Sequence, residues 1–102
     1  MNPVVVTGEN FEVEVLQSEK PVLADFWADW CGPCKMLSPV VDQVAGETEE
    51  VKVVKINVDE NEELAMRFKI MSIPALVVFK DGQEVNRSVG VIPKEQILEL
   101  IK

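Results

Sequence analysis

Apolar residues recur along this chain at two alternating periods, every second position in some stretches and every third or fourth in others, with polar turns between them. "PVVV" (3–6) predicts a short opening strand. From Glu9 to Leu16, Phe11, Val15 and Leu16 fall on one side at helical spacing, although the valines of "ENFEVEVL" leave a strand reading open. "PVLADFWA" (21–28) is nearly all apolar, as expected of a strand covered on both faces, and only Asp25 interrupts it. "CKMLSPVVDQVAG" (34–46) suits a helix that Pro33 introduces, Pro39 bends and Gly46 closes.

"VKVVKINVD" (51–59) alternates Val54, Ile56 and Val58 against Lys55 and Asn57, which predicts a strand. "NEELAMRF" places Leu64, Ala65 and Phe68 on one helical face. "IPALVVFKDGQEVNRSVG" (73–90) predicts a hairpin about Asp81-Gly82, with its second strand ending near Gly90. The last ten residues predict a short amphipathic helix with Ile97, Leu98 and Ile101 inward. Strands alternating with helices, followed by a hairpin, imply a mixed α/β sheet flanked by helices. A reactive site is then expected where the carboxyl end of a strand meets the amino end of a helix, and "WCGPC" (30–34) occupies that junction.

At 102 residues the chain has the size of one domain with a single core. No Ser/Gly linker or repeat divides it, so one domain over residues 1–102 is expected. Ten basic residues against eighteen acidic ones give a net charge of -8, which opposes binding to a nucleic-acid backbone. No apolar run reaches membrane-spanning length and no secretory signal opens the chain, so a cytoplasmic protein with no membrane partner is expected.

Both cysteines lie in the one C-x-x-C stretch. Without histidine or a second cysteine pair, a closed zinc site within one chain is disfavoured, and no metal is expected. In a first helical turn, residues three apart share a face, so Cys31 and Cys34 can approach within disulfide range and reopen with little movement. Unpaired amide N–H groups and the positive end of the helix dipole favour a thiolate at the start of the turn, which makes Cys31 the nucleophile. Cys34, one turn deeper under apolar cover, is expected to stay protonated until it resolves a mixed disulfide. Gly32 permits close approach of another backbone, and Pro33 pre-sets helical dihedrals while supplying no N–H.

Asp25 in a doubly covered strand is expected to hold its proton near neutral pH, unless it escapes to solvent or caps a backbone group. Lys55, Trp30, the Ile73-Pro74 bond and Gly90 each have an ordinary alternative: a solvated lysine, a core aromatic, a trans strand-start proline and a strand-end glycine.

"DFWADWCGPCK" resembles the active-site signature of the thioredoxin family, and the similarity runs on through "VKINVDEN", "IMSIPALVVFKDG" and "VGVIPKEQ" in the family's order and spacing. The resemblance implies the thioredoxin fold, a central five-stranded mixed sheet flanked by four helices. It implies a protein-disulfide reductase that reduces disulfide-containing protein substrates through Cys31 and Cys34. No bound cofactor is expected, because electrons come from NADPH through a thioredoxin reductase. By the same resemblance, Asp25 accepts the proton of the resolving cysteine, Lys55 tunes that acid, and Trp30 borders the disulfide. Pro74 follows a cis bond, Ile73 offers backbone to an extended substrate, and Val89, Gly90 and Val91 complete an apolar contact patch. Ala75 stands where many members carry threonine and Met71 where members vary, which bears on partner preference. The competing reading is an adaptor that binds partners whatever the state of its cysteines. A monomer is expected.

Overall fold

The computed structural model describes residues 2–102. Strand β1 (Val4–Val5) leads to a π-helical segment (Glu12–Leu16), then β2 (Val22–Trp27), α1 (Gly32–Glu47), β3 (Lys52–Asn57), α2 (Glu62–Arg67), β4 (Ala75–Lys80), β5 (Gln83–Val89) and α3 (Lys94–Leu100). The strands form one sheet in the order β1-β3-β2-β4-β5. β1 and β2 pair with β3 in parallel, whereas β4 runs antiparallel to both β2 and β5. This is the mixed five-stranded sheet with four helical segments that the family resemblance implied.

The two-residue alternation of β2 sorts its side chains onto two faces. Val22, Ala24 and Phe26 enter a core with Phe11, Val15, Leu64 and Phe79, under the π-helical segment and α2. Leu23 enters the opposite core with Leu37, Val41 and Val44 of α1 and Ile97 of α3. Asp25 lies two positions beyond Leu23 and therefore faces the α1 side. In the parallel register Asp25 stands opposite Lys55 of β3. Alternation thus delivers an acid and a base to the space under the first turns of α1.

Phe11, Phe68 and Phe79 stack on the other face, with Phe68 and Phe79 ring centroids 5.3 Å apart and nearly perpendicular. The segment around Phe11 is helical, which resolves the open strand reading. The β4–β5 turn uses Asp81 (φ 53°) and Gly82 (φ 77°), the two positive dihedrals that a two-residue hairpin of this hand requires.

Two details differ from expectation. Gly46 does not end α1: the helix runs to Glu47, and Thr48 leaves it in an extended conformation (φ −128°), so no left-handed residue is needed. In α3, Leu98 is exposed, while Ile97 is buried and Leu100 and Ile101 pack against the same core. Spacings of three and four from Ile97 define the buried stripe, and Leu98 lies about 100° away from it.

Candidate active site

β2 ends at Trp27 and α1 begins at Gly32, so "ADWC" must turn the chain from the sheet into the helix. The Cys31 N–H donates to the Ala28 carbonyl at 3.2 Å, closing that turn. Cys31 is the N-cap of α1, in extended conformation, and its Sγ accepts the Cys34 backbone N–H at 3.1 Å. A cap residue with a side-chain acceptor is what a helix start demands, and here the acceptor is sulfur. Pro33 sits in the first turn, where its missing N–H costs nothing, and no acidic residue accompanies it there. A negative sulfur at this position is favoured by the amide and by the helix dipole.

Cys31 and Cys34 are joined by a disulfide, with their Cα atoms 5.3 Å apart. Their exposures are 3% and 4%, so depth does not distinguish them as the sequence suggested. The difference is in surroundings. Cys31 receives the amide and lies 3.8 Å from the Ile73 carbonyl oxygen. Cys34 lines a cavity of about 210 Å³ with Trp27, Ala28, Asp29, Lys35, Ser38 and Lys55. Trp27 packs against the cysteine pair from beneath.

Asp25 is 2% exposed, and its Oδ1 has no hydrogen-bond partner among the described residues. Loss of solvation pushes this carboxyl from its ordinary 3.8 up to about 6, the Lys55 ammonium pulling it down and the Asp42 carboxylate pushing it up. Lys55 makes no ion pair with Asp25 among the described residues. Its Nζ instead donates to Ser38 Oγ at 2.6 Å and pairs with Asp42 Oδ1 at 2.8 Å. Neither Ser38 nor Asp42 was singled out from the sequence. The signal was present, because Cys34, Ser38 and Asp42 recur every four residues along one stripe of α1.

Of the remaining residues, Ile73 packs against the cysteine pair, and the segment around Gly90 is tied to the loop that carries it. The Ile73–Pro74 bond is cis, and Pro74 leads into β4. Gly90 (φ 96°) donates its N–H to the Pro74 carbonyl at 2.8 Å, which ties the segment after β5 to the loop before β4. Val89 and Val91 flank it, both exposed. Trp30 is 71% exposed, with its indole Nε1 donating to Asp59 Oδ2 at 2.9 Å. An open groove of about 520 Å³ runs between Trp30, Met66, Met71 and Ile73. Beyond its chain neighbours and the backbone of its own helix, no heavy atom lies within 4 Å of where a side chain on Gly32 would begin, so space within the chain does not require glycine there. Among the described residues no cluster of His, Cys, Asp or Glu could hold a metal ion. The redox group is the Cys31–Cys34 disulfide itself.

The sequence model of the Thioredoxin family matches residues 2–102. The chain is 56% identical over 90 residues to "Thioredoxin 1" of Synechococcus elongatus, which covers 87% of this chain and 84% of that protein. It is 50% identical to "Thioredoxin 1" of Nostoc sp., over 95% of this chain and 92% of the relative. It is 51% identical to "Thioredoxin" of Mycobacterium bovis, over 91% and 81% respectively. With a disulfide at a helix start and this likeness along nearly its whole length, the chain belongs to the thioredoxin family, as a thiol–disulfide oxidoreductase acting on disulfide-containing proteins.

Proposed function

We propose that the chain is a single-domain, monomeric cytoplasmic reductase in which Cys31 attacks, Cys34 resolves and Asp25 carries the proton, recycled by an NADPH-dependent thioredoxin reductase. The observation that supports it best is the Cys34 N–H directed at Cys31 Sγ at 3.1 Å, with an unpartnered buried carboxyl on the strand below.

In the reduced chain the Cys31 thiolate attacks one sulfur of a substrate disulfide. A Cys31–substrate bond forms, the substrate S–S bond breaks, and one substrate thiolate leaves. Cys34 then gives its proton toward Asp25 and attacks Cys31 Sγ, restoring the Cys31–Cys34 bridge and releasing the second substrate thiolate. Two electrons have moved from the cysteine pair to the substrate. A carboxyl titrating near 6 accepts a proton at neutral pH more readily than an ordinary aspartate would.

Trp30, Ile73, Pro74, Val89, Gly90 and Val91 form the docking rim. Among the described residues the Ile73 N–H has no intrachain partner, so it is free to pair with an extended substrate segment as an added strand. Open space at Gly32 admits that segment close to the sulfurs. Gly32 and Pro33 tune the thiolate, and Lys55 tunes the acid.

The test is NADPH consumption with a thioredoxin reductase and a model disulfide protein. Turnover that disappears in Cys31→Ser supports the assignment, and turnover that persists without Cys31 overturns it.

A further inference from the structure

Facing strand positions ordinarily bring a lysine and an aspartate into contact, and Asp25 and Lys55 face each other across β2 and β3. The ion pair that forms is a different one. The Lys55 ammonium lies against α1, held by Ser38 Oγ at 2.6 Å and Asp42 Oδ1 at 2.8 Å. Those two side chains continue the stripe begun by Cys34, at spacings of four residues. Ser38 and Lys55 also line the cavity behind Cys34. One helix stripe therefore carries the resolving sulfur and both anchors of the cation nearest the buried acid.

We propose that Ser38 and Asp42 are positioning residues: they hold the Lys55 ammonium against α1 and out of an ion pair with Asp25, so that Asp25 stays basic enough to take the proton of Cys34. The last clause rests on the proton role proposed for Asp25. The first does not.

The physical reason is competition for one cation. A lysine free to swing onto Asp25 would stabilise the carboxylate and fix it in the ionised form. Two anchors on α1 saturate two of the three ammonium donors and keep the ammonium out of an ion pair with the carboxyl, although its charge still pulls the Asp25 titration down. Asp42 adds a direct effect, since its own negative charge disfavours ionisation of Asp25. Ser38 carries no charge, so its influence on Asp25 passes through Lys55. The other groups around this space are Cys34 and Lys35 of α1 and Asp29 of the preceding turn, while β4 contributes the uncharged Leu76 opposite Asp25.

The test follows the Asp25 side-chain carboxyl carbon by NMR across pH in the oxidised protein, where neither cysteine titrates. Asp42→Asn is expected to lower the Asp25 midpoint by about one pH unit, within the range for an opposite charge brought close. Ser38→Ala is expected to lower it by a smaller amount. In a Lys55→Gln background the Ser38→Ala shift is expected to vanish, while part of the Asp42→Asn shift survives. An unchanged or raised midpoint in Ser38→Ala, or a shift that persists without Lys55, overturns the positioning role. Thermal melts of each variant separate loss of fold from loss of position, and Asp42→Asn alone, changing an exposed side chain, keeps the test readable.

Because the titration reads Asp25 directly, it is independent of what Asp25 does in catalysis. The rate-versus-pH profile of Cys34 attack on a mixed disulfide provides the other half. If that profile follows the NMR midpoint through the variants, both readings stand. If the midpoint moves and the rate profile does not, the proton role of Asp25 falls while the positioning of Lys55 remains.

Discussion

Gly90 and Pro74 are joined backbone to backbone: the Gly90 N–H donates to the Pro74 carbonyl at 2.8 Å, and Gly90 adopts φ 96° to do so. The segment before β4 and the segment after β5, proposed above as parts of the docking rim, are held together by this bond.

Replacing Gly90 with alanine meets no steric obstacle, since no heavy atom beyond its own chain neighbours lies within 4 Å of the added carbon. The cost is conformational, about 1–2 kcal/mol for a side chain forced into the left-handed region. Gly90→Ala is expected to lower Tm by about 5–10 °C. A melt indistinguishable from that of the parent would show that the segment does not need this dihedral.

Asp25 makes stability depend on pH. Its folded carboxyl titrates near 6 against 3.8 when unsolvated surroundings are absent, so between those values the folded state holds a proton that the unfolded state has lost. Its contribution is fully present below about 3.8, declines as pH rises, and is gone above about 6, a loss of about 3 kcal/mol. Asp25→Asn removes this dependence. Denaturant unfolding is expected to show the variant gaining on the parent by up to that amount between pH 4 and pH 7.5. A constant difference across that range would contradict the raised titration.

The two cysteines are almost equally buried, yet among the described residues only Cys31 receives a backbone N–H at sulfur. Iodoacetamide at pH 7 is therefore expected to alkylate Cys31 of the reduced chain first, several-fold faster than a free cysteine. Peptide mapping after partial reaction checks this. Predominant labelling of Cys34 would reverse the assigned roles.

The periods of the sequence were enough to locate β2, β3, β4 and α1, because each has a face or pair of faces whose burial dictates its pattern, whereas β5, which buries no residue, was located by the Asp81-Gly82 turn before it. Asp25 was legible for the same reason, as a charge inside an otherwise apolar strand. Short elements were less so. In α3 the side that docks is set by the core already built by α1 and the sheet, and seven residues allowed Leu98 to be taken as inward. The sheet order β1-β3-β2-β4-β5 depends on long-range pairing that no local pattern encodes. The cis bond before Pro74 came from the family resemblance, not from local preference. Ser38 and Asp42 escaped notice because small polar and acidic residues on a helix read as solvent-facing until the neighbouring strand places Lys55 beneath them.

The sheet closes off its own margins. On one side β1 offers only two residues. On the other, β5 carries a charged Glu84–Arg87 clasp, its Asn86 side chain is tied to the end of α3, and the register slips by a bulge opposite Phe79. Such borders make poor templates for zippering one copy onto another, and a net charge of -8 adds mutual repulsion. Edges so blunted leave the backbone beside the cysteines, rather than the borders of the sheet, as the place where another polypeptide would pair.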